Sequence, residues 1–131
     1  MRPAWRELAA VFAGGAAGAL ARVGLLELFP SAEAGWPWAV LAINVSGALL
    51  LGYLVTRLQE RPARYPYWRQ LMGTGFCGAY TTFSTMQLEL LHMVDAHNYG
   101  LAAGYLGVSV VCGYVAIQAA TAIIRRSRAV A

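Results

Sequence analysis

Lysine is missing from this sequence: all ten basic residues are arginine, and only six acidic residues accompany them. Charged residues make up 12% of the chain, where a soluble domain carries about a quarter. So few charges exclude an ordinary water-soluble globule as the first reading. Cysteine is scarce as well. Cys77 and Cys112 each lie in apolar sequence, with neither a C-x-x-C pair nor Cys/His spacing for zinc, so both read as small buried hydrophobes. A nucleophile-base pair, a phosphate loop and a metal triad are also absent, which argues against an enzyme.

What is present in quantity is apolar sequence: 59% of the 131 residues, with a mean hydropathy of +0.52. The composition is that of a single transmembrane domain covering residues 1–131. Four stretches, at about 7–29, 36–57, 69–94 and 100–124, are long enough to cross a hydrocarbon core as helix, which takes roughly 20 residues. The expected fold is therefore an all-α membrane protein of four transmembrane helices joined by short connections. The first stretch, "LAAVFAGGAAGALA" followed by Arg22 and "VGLLELF", is too long for a cleaved signal peptide and has further spans after it. Trp36, Pro37 and Trp38 open the second, as an interfacial belt and a helix first turn require.

The arginines are distributed unevenly. Arg2 and Arg6 precede the first span; Arg57, Arg61, Arg64 and Arg69 lie in or beside the connection between spans two and three; Arg125, Arg126 and Arg128 follow the fourth. With four spans these three regions share one side of the membrane. The other side carries Glu27, Glu33 and Asp95 and no basic residue. Nine arginines against none place both termini in the cytoplasm, the protein in the inner (plasma) membrane, and the charge in a topological role rather than a nucleic-acid-binding one.

Inside the spans the polar residues carry the information, because each needs a partner or a wet path. Asn44 sits near the middle of span two, with Gly47 on the same face; it can bridge helices or offer NH₂ donors to a passing anion. In span four Tyr105, Ser109 and Cys112 follow i, i+4, i+7 spacing and share a face, as packing contacts or as donors. Arg22 can snorkel to headgroups or attract anions at a vestibule. Gly14 and Gly18, and Gly100 and Gly104, have the spacing that lets helix backbones approach closely. His92 and His97 read as a helix-end and a loop histidine.

Span three is unusual. "GTGFCGAYTTFSTM" puts Gly73, Gly75 and Gly78 ahead of Thr81, Thr82, Ser84 and Thr85, a poor sequence for an unbroken helix. Either the hydroxyls bond back to the i−4 carbonyls and bend the helix, or the helix breaks near Gly78–Thr82, which predicts an ion site or a pore. Beyond the break Thr81, Thr85, Glu89 and His92 form a polar stripe, and Phe83, Met86 and Leu90 an apolar one.

With these residues in view, the chain resembles the Fluc/CrcB family of fluoride channels along essentially its whole length. The resemblance rests on "GGAAGALAR", "NVSGALLLG" and above all "GFCGAYTTFSTM", which is similar to the family's G-F-x-G-G-x-T-T-F-S-T-F. It implies a fluoride-selective channel that exports fluoride passively and relieves fluoride toxicity. It also implies a dimer of two antiparallel subunits with two pores and a central structural Na⁺. By that resemblance Gly78 and Thr81 match the positions whose carbonyls hold the Na⁺, and Asn44, Phe83, Tyr105 and Ser109 match the fluoride pathway. Thr85 and Glu89 look like part of its polar track, and Arg22 matches the first-span arginine near the vestibule. Such donors suit fluoride, whose tightly held hydration shell must be replaced by several convergent N–H and O–H groups or positive ring edges.

The chain departs from the family pattern at two positions of this motif. Met86 stands where the family has a second pore phenylalanine, and Ala79 where it has a second glycine. A small multidrug-type transporter, the nearest rival, looks to a glutamate midway along the first span, whereas Glu7 and Glu27 lie at its ends. A non-transporting membrane scaffold gives no reason for hydroxyls beside a helix break. The charge bias also sets this chain apart, because a subunit inserting both ways has nearly balanced arginine and lysine. Its dimer partner is thus either itself or an oppositely oriented homologous chain, and the bias predicts the second. Reporter fusions to the C-terminus, expressed alone, are expected to show one orientation; equal signals from both sides of the membrane would refute it.

Overall fold

The structure, a computed structural model, describes residues 4–32, 34–60 and 67–129. Arg2, Arg61, Arg64 and Glu33, which entered the charge count, lie outside the described residues. Among the described residues all regular structure is helical. Helix α1 (Ala4–Leu28) carries Glu7 in its first turn, where the helix dipole favours an anion. Helix α2 (Trp38–Glu60) begins just after Pro37, whose carbonyl accepts the N–H of Leu41 at 3.1 Å, and carries Arg57 in its last turn, near the dipole's negative pole. Both are long and apolar enough to cross a membrane, as is the last helix, α5 (Tyr99–Ala129). The 31 residues of α5 extend about 46 Å at 1.5 Å per residue. That exceeds a ~30 Å core, so length remains for the turns bearing Arg125 and Arg126.

The stretch expected as one span over 69–94 is discontinuous. It consists of a π-helical segment (Arg69–Cys77), a single α-turn, α3 (Gly78–Tyr80), two extended residues, and α4 (Phe83–Asp95). Thr81 has φ −73° and ψ 152°, and Thr82 φ −142° and ψ 111°, so both leave the helical region. The break lies where the sequence pointed, at the threonines and not at the glycines. Gly78 keeps helical angles, φ −62° and ψ −35°.

The glycines serve packing. A Cβ on Gly14 would run into the carbonyl of Leu71, and one on Gly18 into the carbonyl of Phe76. A Cβ on Gly75 would meet the Val11 carbonyl at 2.6 Å. Two residues one α-turn apart on α1 thus meet two carbonyls five apart on the π-helical segment, the i→i+5 spacing of that helix. Backbone touches backbone, as small residues permit between membrane helices. Gly100 and Gly104 do not act this way within the chain. Gly100 has open space, and Gly104 has only the Trp36 ring edge, at 3.9 Å.

Helix α4 turns back into α5 through a Schellman end. The Asn98 N–H donates to the Met93 carbonyl at 2.8 Å and the His97 N–H to that of Val94 at 2.9 Å, with His97 left-handed at φ 60°. His92 and His97 thus occupy a last turn and a loop, as their positions suggested. The reversal lays α4 on α5, and Val40, Met86, Met93, Ala102 and Tyr105 form a buried cluster between α2, α4 and α5. Many large apolar residues, among them Phe12, Leu20, Val110 and Tyr114, face outward, more apolar surface than a soluble monomer exposes.

Since the obstructing atoms at Gly14 are backbone, they cannot swing aside. Gly14→Val is expected to destabilise the detergent-purified protein by about 3 kcal/mol or more, the upper end of overpacking costs. Gly24→Ala, at a position with nothing within 4 Å, is expected to leave the thermal melting temperature unchanged. Equal melting of the two variants would remove the close α1 contact from the account.

Candidate functional site

Two extended residues inside an apolar bundle leave backbone groups that must find partners. Asn44, on α2, meets that need for Thr82. Its Oδ1 accepts the Thr82 N–H at 2.8 Å, and its Nδ2 donates to the Thr82 carbonyl at 3.0 Å. Thr82 is 3% exposed, so without Asn44 both groups would be buried unpaired. One turn along α2 the neighbouring surface is Gly47, where a Cβ would collide with the Thr81 methyl. Asn44 and Gly47, on one face as their spacing requires, therefore clasp the break.

The side chain of Thr82 continues the arrangement. Its Oγ1 accepts the Thr85 N–H at 3.1 Å, capping α4, and donates to the Thr85 Oγ1 at 2.8 Å. Thr81 closes the other piece. Its N–H and its hydroxyl both donate to the Cys77 carbonyl, at 3.0 and 2.9 Å. In an unbroken helix the Thr82 N–H would bond to the Gly78 carbonyl and the Thr85 N–H to the Thr81 carbonyl. Both N–H groups are instead taken by side chains, Asn44 and Thr82. The carbonyls of Gly78 and Thr81 thereby lose their regular helical partners.

A cavity of about 390 Å³ lies beside the break, and Asn44, Gly78, Thr81, Phe83 and Met86 all line it. Phe83 and Met86 both reach it but from unlike settings. Phe83 is 72% exposed, while Met86 is 9% exposed and belongs also to the buried cluster around Tyr105. Tyr105 and Ser109 do not line this cavity. They are one turn apart on α5, and both hydroxyl oxygens are buried, with no hydrogen-bond partner but each other among the described residues. Thr85 and Glu89 are partly buried on α4, and His92 is exposed, so the stripe fades toward the helix end; Thr81 is separated from it by the extended residues. Arg22 is partly buried on α1 and lines neither the cavity nor the cluster.

Sequence reasoning passed over three groups. Thr82 counted only as one hydroxyl among several, although a Thr three residues before another hydroxyl at a helix start is an N-cap signal. Ser46 and Tyr80 share a hydrogen bond at 3.0 Å between α2 and α3. Trp36 read as an interfacial residue, yet it packs edge-on against Tyr105, with ring centroids 5.6 Å apart at 82°.

Asn44→Ala leaves two buried groups of Thr82 unpaired, each worth about 1–3 kcal/mol. A clear drop in melting temperature is expected. Thr82→Val, which removes the α4 cap, is expected to cost about 1 kcal/mol, and Thr82→Ser almost nothing. An Asn44→Ala protein that melts with the wild type would show that the clasp does not hold the break.

The sequence profile of the family described as CrcB-like protein, Camphor Resistance (CrcB) matches residues 9–121. A protein of Mycolicibacterium paratuberculosis named fluoride-specific ion channel FluC 1 is 53% identical over 124 residues, covering 95% of this chain and 94% of that one. The FluC 1 of Mycobacterium bovis is 52% identical with the same coverage. The FluC 2 of Thermobifida fusca is 39% identical over 88% of this chain and 86% of its own. With a clasped helix break, outward apolar helices and matches of this extent, the chain belongs to the CrcB/FluC family, a family of channels and not of enzymes.

Proposed function

We propose that the protein is a fluoride-selective channel that lets fluoride leave the cell passively and so relieves fluoride toxicity. The observation that carries this reading is the pair of buried hydroxyls of Tyr105 and Ser109, which face each other and have no other partner among the described residues, so that at least one of their two protons lacks an acceptor. A buried donor without an acceptor costs about 1–3 kcal/mol, and an anion that shares the site removes that cost. Fluoride benefits most, because hydroxyl donors replace the water it gives up on entry. Asn44 contributes a polar group on the cavity side, with one N–H left over beyond its bond to Thr82, and Thr85 adds a hydroxyl on the adjoining face of α4. The exposed Phe83 ring offers a positive edge there. Glu89 belongs to the same track, and Arg22 draws anions toward it.

The carbonyls of Gly78 and Thr81 fit a Na⁺ ion. Both are relieved of their helical donors, and both residues line the cavity beside the break. Hard cations take oxygen ligands of this kind. When bound, Na⁺ supplies a fixed positive charge that balances carbonyl dipoles left over by the break. Two carbonyls are few for one ion, which supports an antiparallel dimer, each chain supplying its pair at the break and its own pore. The partner is a second copy or, given nine arginines on one side against none on the other, an oppositely oriented homologous chain. The broken segment then serves as the fourth crossing, in the plasma membrane, with both termini cytoplasmic.

Liposomes loaded with fluoride, chloride or a quaternary ammonium cation test the reading. Rapid efflux of fluoride alone is expected, with the homologous chain supplied if this one is silent by itself. Efflux of the organic cation would favour a small multidrug-type transporter, and no efflux of any ion a scaffold. In the same assay Met86→Phe is expected to retain or raise fluoride flux; loss of flux would take Met86 off the path.

A further inference from the structure

Besides Tyr105 and Ser109, a third buried donor has no partner among the described residues: the indole Nε1 of Trp36. An indole N–H can only donate, so no rearrangement of its own proton can satisfy it. Native interiors hold few such groups. Here three occur together, since Trp36 packs on the buried cluster and lies edge-on to the Tyr105 ring at 5.6 Å. Tyr105 itself is 0% exposed. Trp36 precedes α2, at the arginine-free end of the molecule, whereas Ser109 lies about 6 Å further along α5 than Tyr105 at 1.5 Å per residue. The three donors thus follow one another from the arginine-free end toward the interior.

Among the described residues the only side chain common to this cluster and to the cavity at the break is that of Met86. Methionine has three rotatable bonds and repacks readily. Met86 thus joins the cavity at the break to the cluster that holds the three donors.

We propose that the Trp36 indole N–H is a further anion-binding group of the channel, the outermost donor in a series with Tyr105 and Ser109. The proposal rests on the fluoride-channel reading given above. Trp36 is then a specificity-determining residue, because a donor-only group favours a strong acceptor such as fluoride over a weakly accepting anion.

The test is Trp36→Phe, which keeps an aromatic ring against Tyr105 and deletes the N–H. Fluoride efflux from liposomes is expected to fall at least tenfold, with the fluoride-to-chloride ratio falling too and the melting temperature held or raised. Flux and selectivity within twofold of the wild type would overturn the proposal. If the variant does not fold, the indole proton resonance of Trp36 in the wild-type protein decides, assigned against Trp38→Phe, Trp5→Phe and Trp68→Phe. It is expected to move on titration with sodium fluoride and to stay still with sodium chloride; no movement at fluoride concentrations that saturate transport would overturn the proposal. A wild type that carries no fluoride while this resonance still responds would overturn the channel reading and leave the binding group standing.

Discussion

The pair of hydrogen bonds between the Asn44 amide and the backbone of Thr82 is the contact on which the arrangement depends. A membrane interior tolerates irregular backbone only where protein satisfies it. One asparagine supplies a donor and an acceptor at the spacing a peptide unit requires, so the chain can leave the helix for two residues without exposing either group of Thr82. Everything placed around the break follows. Thr82 is free to cap α4, Thr81 bonds back to Cys77, and the carbonyls of Gly78 and Thr81 are left without their helical donors.

Holding the two half-segments in position falls to glycine. Gly14, Gly18 and Gly75 bring α1 against the π-helical segment until backbone meets backbone, and Gly47 admits Thr81 beside Asn44. Dispersion and close packing do this work, because lipid tails give no hydrophobic drive for one apolar helix to prefer another. The N-terminal half-segment is thus fixed by α1 and α2, while α4 is fixed by α5 through the reversal at His97 and the cluster around Tyr105. The break lies between two separately anchored parts.

Much of this could be read from the sequence, for reasons that differ by element. Three spans were legible because apolar length is an unambiguous signal, and their ends agree with the helices within a few residues. The broken segment was legible from glycines and threonines clustered in apolar sequence. Its location within the motif was not, because glycine signals both flexibility and close approach, and only the neighbouring atoms separate the two. Gly78 is helical and Gly75 is a contact, while the β-branched threonines carry the extended backbone. The π-helical register was illegible, since it follows from the docking of Leu71 and Phe76 on α1. Of the residues expected along a fluoride pathway, Asn44, Phe83 and Met86 gather at one cavity, and Tyr105 and Ser109 share a face as their spacing implied. The packing of Trp36 on Tyr105 was not legible because a tryptophan beside a proline at a span's start looks interfacial.

The central claim is that the break exists to release two particular carbonyls for an ion. Carbonyl carbon chemical shifts of protein labelled at Gly78 and Thr81 measure this directly, during exchange from choline into sodium. Both signals are expected to move, while the carbonyl of Cys77, held by Thr81, stays in place. If Gly78 and Thr81 remain still while Cys77 shifts, or if none responds to sodium, the account is contradicted.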